Sequence, residues 1–287
     1  MRAELILDAR ATLGEGPAWD VTDQALYWVD ILAKQVHCFC WGQDQVVQLD
    51  EYVGCVAPCR RGGLIVALKD SFWTMDRTGK ERTLLARVQE PPTNRFNDGK
   101  CDPAGRFLAG TMDMNEAAPS GALYSLAAGR PLRKLLEGIT ISNGLTWSPD
   151  YRMLYYIDTP TRQVRAFDYD LETGDLRRPR VALDVPSELG WPDGMTSDCE
   201  GRLWIALWGG GRVVCWNPLT GRREAEVLVP APHVTSCVFG GERLDRLYIT
   251  TARVGLEPPA LERFPLSGGL FEALTDTEGM PTFAFDG

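Results

Sequence analysis

One short pattern recurs six times along the chain: a polar residue or glycine, a brief strand-like stretch, a turn, then an apolar strand. Gly14-Glu15-Gly16-Pro17 leads to the run 26–30, Val53-Gly54-Cys55 to 64–68, and Asn97-Asp98-Gly99 to 107–110. Asn143-Gly144-Leu145 leads to 154–158, Asp193-Gly194-Met195 to 203–207, and Ser236-Cys237-Val238 to 247–251. The apolar runs start at 26, 64, 107, 154, 203 and 247, spaced by 38, 43, 47, 49 and 44 residues. A recurrence of roughly 40–50 residues with about four short strands per unit marks a β-propeller blade. Six such units use nearly all of the 287 residues. The expected fold is therefore all-β, a six-bladed β-propeller, with residues 1–287 forming one domain.

The local chemistry agrees. Turn signals such as Asp102-Pro103-Ala104-Gly105 and Asn217-Pro218-Leu219-Thr220-Gly221 separate strand-like runs and favour hairpins. No segment longer than about ten residues keeps a 3.6-residue period. Residues 256–264 could make one helical turn, weakened by Pro258 and Pro259. Residues 268–274 read as a last strand, expected to pair with residues 3–9 and close the ring without a free sheet edge.

Charge narrows the partners. With 39 acidic against 30 basic residues the net charge is −9, a surface that repels phosphate backbones and anionic lipid. Neither nucleic acid nor membrane is expected as a partner. Charges at residues 2, 4, 8 and 10 interrupt the N-terminus, leaving no signal-peptide core, so a cytoplasmic location is expected. Eight cysteines include no Cys-x-x-Cys pair, and His37 and His233 are the two histidines, so free thiols are expected rather than disulfides or zinc.

The slot 10 or 11 residues before each apolar run holds Glu15, Gly54, Asn97, Asn143, Asp193 and Ser236. Equivalent slots of a radial repeat lie at equivalent radii, so these side chains should converge on the axis. Asn-Gly and Asp-Gly are also ordinary turn formers, but Glu15 is a poor turn residue. Four convergent carboxylate or amide oxygens suit a hard cation such as Ca²⁺, Mg²⁺ or Mn²⁺, with Zn²⁺ or Fe²⁺ able to compete. A metal site at the central tunnel is the expectation.

Order and spacing of the motifs go further. Gly14-Glu15-Gly16-Pro17, the run 95–100 (Arg-Phe-Asn-Asp-Gly-Lys), Ile141-Ser142-Asn143-Gly144, Pro192-Asp193-Gly194 and Phe239-Gly240-Gly241 span the chain. Together with Thr251-Ala252-Arg253 they closely resemble the senescence-marker-protein/regucalcin/gluconolactonase family. The resemblance implies a six-bladed propeller with one divalent metal at the tunnel mouth and hydrolysis of a small-molecule sugar (aldono-) lactone. It carries Glu15, Asn143 and Asp193 over as metal ligands, with Asp193 also taking the attacking water's proton, or acting as a ligand alone. Arg95 and Asn97 match substrate-holding residues, and Asp98 could orient either of them. Where relatives place an acidic substrate contact, Asn115 or Glu116 falls here, and Glu116 is taken. Trp191, Trp204 and Trp208 serve the mouth or the core, and His233 the rim or a loop. The competing readings are a calcium-binding regulatory protein of regucalcin type without relevant catalysis, and a propeller scaffold for protein partners. A monomer or weak oligomer is expected.

Overall fold

Short alternating runs bounded by turn residues produce 24 strands, grouped in six four-stranded antiparallel sheets. The structure, a computed structural model, describes residues 1–287. Five sheets are built in sequence order from the axis outward: residues 14–48, 53–87, 94–139, 142–184 and 191–228, here blades 1 to 5. Blade 6 takes Val234–Gly240, Arg246–Thr251 and Leu270–Leu274, and its fourth strand is Glu4–Leu7 from the chain's beginning. Glu4 pairs with Glu272 and Leu5 with Phe271. The expected closure is present, and it removes the open edges a linear array of sheets would leave.

Each blade's second strand is buried on both faces, as in Leu64–Leu68 and Leu203–Trp208, because it lies between neighbouring blades. These runs are accordingly continuous in apolar residues. Fourth strands such as Arg82–Arg87 face solvent. The core is thus a ring of interblade seams. Cys55, Phe72, Phe96, Phe107 and Tyr124 fill the seam of blades 2 and 3. All eight cysteines are free thiols.

Hairpin turns carry buried ion pairs. In Asp102–Arg106 the carboxylate accepts the Arg106 N–H at 2.8 Å and its Nε at 2.5 Å, and Asp198–Arg202 repeats the arrangement at 3.0 and 2.7 Å. The helix Pro258–Arg263 corrects the sequence reading: its two prolines occupy the first turn, where no N–H partner is needed, and so they start the helix. No helix is long and apolar enough to cross a membrane.

The C-terminal residues form a strap that the repeat pattern does not encode. Gly279 N–H donates to Leu244 O (2.8 Å), Met280 N–H to Ser197 O (3.0 Å) and Phe285 N–H to Pro58 O (2.9 Å), so the strap crosses from blades 6 and 5 to blade 2. Phe285 is 1% exposed and wedged into the seam of blades 2 and 3. Phe285→Ala should cost about 3–5 kcal/mol of stability, through lost burial and an unfilled cavity. Urea unfolding measures this; a change below about 1 kcal/mol, the scale of an exposed site, would show that the strap does not share the core.

Candidate active site

The six innermost strands are Gly14–Asp20, Val53–Pro58, Asn94–Cys101, Ser142–Trp147, Trp191–Ser197 and Val234–Gly240. Every one of them slips register against its neighbour at the slot, between Glu15 and Ala18, Val53 and Cys55, Phe96 and Gly99, Ser142 and Leu145, Pro192 and Met195, and Val234 and Ser236. A β-bulge re-aims side chains and is favoured beside functional sites. Of the six slot residues, Glu15, Asn97, Asn143 and Asp193 line one cavity. The Asn-Gly and Asp-Gly pairs lie inside strands and form no turns. Their glycines answer to crowding around the axis: a Cβ on Gly144 would stand 2.6 Å from the Met195 nitrogen, and one on Gly54 2.6 Å from the Phe96 carbonyl.

A cavity of about 700 Å³ opens at one mouth of the tunnel, and Glu15, Arg95, Asn97, Glu116, Asn143 and Asp193 all line it. Five of these six are buried, at 4–7% exposure, and Glu116 is exposed at the rim. The opposite end is covered by strap residues 280–283, over a small cavity of about 40 Å³ that Lys100, Thr146 and Ser197 also line.

Glu15 and Asp193 meet side chain to side chain, with Asn143 beside Asp193. Burial, then repulsion between carboxylates, pushes both upward: Glu15 to about 8 and Asp193 well above the usual carboxylate range. Asp98, 1% exposed, adds a third buried acid and is itself raised by burial. The Asn143 amide is fixed by its nitrogen, which donates to Thr159 Oγ1 (3.0 Å), and Thr159 in turn donates to the Pro192 carbonyl (2.8 Å). Its oxygen is buried with no hydrogen-bond partner. A buried amide oxygen without a donor costs on the order of 1–3 kcal/mol. No three His, Cys, Asp or Glu side chains form a metal-sized group. The ligand-like set is instead two carboxyls and one amide.

Arg95 forms the facing wall. Its Nη1 donates to Phe96 O (2.9 Å) and Asn97 Oδ1 (2.6 Å), while Asn97 Nδ2 donates to Ser142 O (2.8 Å). Asn97 thereby clamps the guanidinium, whose pKa burial lowers to about 10 and whose partial compensation comes from Glu15 and Glu116. Asp98 does not orient either residue: its Oδ1 accepts the Gly99 N–H (2.7 Å) and its Oδ2 has no partner. The bulge after Phe96 separates its direction from theirs. Of the two candidates in the following loop, Asn115 caps Asp113 through N–H···Oδ1 (3.2 Å), whereas Glu116 lines the cavity with a left-handed backbone at φ 54°.

Trp191 and Trp208 line the mouth, but Trp204 is 2% exposed and donates to Asp198 (2.8 Å) within the core. His233 stacks on Trp208 with centroids 4.0 Å apart and contacts Val254 O (3.0 Å). Sequence reasoning missed Thr159, Tyr52, Met112 and Met114, all on the cavity wall. Thr159 follows the apolar run of blade 4 directly, and only the fold reveals that this position faces the slot of the same blade.

Comparison with known proteins identifies relatives of the whole chain. The SMP-30/Gluconolactonase/LRE-like region matches residues 13–253. Regucalcin of Danio rerio is 39% identical over 292 residues, covering 100% of this chain and 99% of its own. The putative sugar lactone lactonase YvrE of Bacillus subtilis is 38% identical over 293 residues, covering 100% and 99%. A crystal structure of a calcium-binding protein, regucalcin, from Agrobacterium tumefaciens superposes with a TM-score of 0.93 at 28% identity, covering 99% of this chain and 97% of that one. A chain matched by this family model over residues 13–253 and by relatives along its full length belongs to the SMP-30/gluconolactonase/LRE-like family.

Proposed function

We propose that this protein is a metal-dependent lactonase that opens sugar (aldono-) lactones, with Glu15, Asn143 and Asp193 holding one divalent ion. The carrying observation is the unpartnered buried oxygen of Asn143 on the same cavity wall as the buried carboxyls of Glu15 and Asp193. Such a trio is costly alone and is relieved by a dication, so the residues fit the group. All-oxygen donors favour Ca²⁺, with Mn²⁺, Mg²⁺, Zn²⁺ or Fe²⁺ able to substitute. Bound there, the ion would polarise the lactone carbonyl and acidify a nearby water.

The chain's own residues account for the remaining steps. Asp193, ionised once its repulsion from Glu15 is neutralised, accepts the proton of the attacking water and returns it to the departing ring oxygen. Arg95, held by Asn97, keeps guanidinium donors for the lactone's oxygens. Glu116 at the rim accepts from substrate hydroxyls. Every residue invoked belongs to one chain, so a monomer suffices.

A panel of aldonolactones tests this reading. Turnover of at least one, with KM raised about tenfold or more in Arg95→Ala, is expected from loss of charge-assisted hydrogen bonds. No turnover of any member would overturn it. The name calcium-binding attached to the Agrobacterium relative favours one second reading, a calcium-responsive regulator. That alternative requires Ca²⁺ binding with no lactone opened.

A further inference from the structure

The cavity has two unlike walls. Blade 3 supplies Arg95, Asn97 and Glu116, whereas blade 5 supplies Trp191 and Trp208, which pair across adjacent strands. Trp191 is 42% exposed, unusual for a tryptophan lining a deep cavity. One face of its indole is occupied: the Arg162 guanidinium lies 3.5 Å from the ring centroid. Arg162 is itself tied down, donating from Nη1 to Gly190 O (2.8 Å). It has a left-handed backbone (φ 57°), an uncommon conformation for arginine, at the end of the 3₁₀ turn Thr159–Thr161. That turn thus supports two things, the Asn143 amide through Thr159 and the Trp191 ring through Arg162. The indole is backed by a cation on one side, and Trp191 also lines the cavity.

We propose that Trp191, backed by Arg162, is a stacking platform for the sugar ring of the substrate. The ring's C–H face lies on the indole while its hydroxyl edge meets Arg95 and Glu116. The proposal rests on the lactonase reading for its ligand class. A polyhydroxylated ring is the ligand that satisfies both walls: one apolar and flat, one charged and rich in donors and acceptors. An acyclic polyol offers no continuous C–H face, and a purely apolar lactone offers no hydroxyls to Arg95 and Glu116. Trp191 is in this account a specificity residue and makes no bond to the reacting carbonyl.

Steady-state kinetics on D-glucono-1,5-lactone and saturation-transfer NMR with 1,5-anhydro-D-glucitol, a ring that cannot be hydrolysed, test this. Trp191→Ala should raise KM about tenfold with kcat within about twofold, the upper end for an aromatic contact, and Trp191→Phe should recover most of the loss. In the wild type, saturation should reach the axial ring hydrogens of one face most strongly, and Trp191→Ala should abolish that bias. Unchanged KM and an unchanged saturation pattern would overturn the platform. So would a loss of kcat accompanied by weaker divalent-ion binding, because that describes a structural residue. If the wild type opens no lactone, the functional reading fails by itself. The NMR arm then still decides the platform: face-selective transfer lost in Trp191→Ala supports it, and its absence in the wild type overturns it.

Discussion

Asp193→Asn is expected to lower lactone turnover by a factor on the order of 10²–10⁴, the range spanned by a positioned proton-transfer group. The variant should fold normally. Asp193 is 6% exposed and its ionised form is opposed first by burial and then by Glu15 and Asp98, so a neutral isostere removes a repulsion. A loss of activity without loss of thermal stability is therefore the signature to look for. Asp193→Asn keeps an oxygen in the ligand position, and this separates the base from the ligand role. If divalent-ion affinity is nearly retained while kcat collapses, Asp193 moves the proton. If affinity falls in step with activity, it serves as a ligand. Full activity in a folded Asp193→Asn protein would remove the assigned centre altogether.

Metal-free protein should lose stability as pH rises from about 5 to 8.5, and Glu15→Gln should reduce that slope by removing Glu15's own share and its repulsion of Asp193. The sign follows from proton binding. Glu15 has an ordinary value of 4.5 and a folded value of about 8, so between them the folded state holds a proton that the unfolded chain has released. Stability is then complete below the unfolded value and declines as pH climbs toward the folded one. Asp193 is displaced in the same direction. A penalty of a few kcal/mol, at roughly 1.4 kcal/mol for each tenfold change in proton affinity, corresponds to a melting temperature lower by about 5–10 °C in a chain of this size. A divalent ion stabilises by binding the folded state alone, and it does so more strongly at pH 8 than at pH 5 because it competes with the protons these carboxyls hold. In Glu15→Gln both the slope and the ion-induced rise should shrink together. Thermal melts at several pH values, with chelator or added ion, measure them. Parallel curves for variant and wild type would mean that Glu15 neither holds the proton nor binds the ion.

Much of this could be read from the chain, because a radial repeat ties sequence position to radius. The six slots between Glu15 and Ser236 all fall on innermost strands, and the pairing of Glu4–Leu7 with Leu270–Leu274 follows from the need to hide sheet edges. The β-bulges were not legible, although they fall at the slot residues, because register is set by pairing between strands and not by composition. This is also why Asp98 could be mistaken for a partner of Arg95. The two are close in sequence, but the bulge after Phe96 leaves Asn97 on the guanidinium and turns Asp98 to the Gly99 N–H. Thr159 and Arg162 escaped notice for a related reason. Their task is to hold Asn143 and Trp191, and nothing in a Thr-Pro-Thr-Arg run announces it. The strap ending in Phe285 lies outside the repeat and carries no periodic signal at all. Pro258 and Pro259 misled in the opposite direction, since proline breaks a helix interior but suits its first turn.

The most direct test uses protein stripped of divalent ions, assayed on aldonolactones before and after one equivalent of Ca²⁺, Mn²⁺ or Zn²⁺ is restored. Negligible hydrolysis is expected without the ion and recovery with at least one of the three, but none in Asn143→Ala, whose unpartnered buried oxygen has been removed. Equal turnover by stripped and reloaded protein would contradict this expectation.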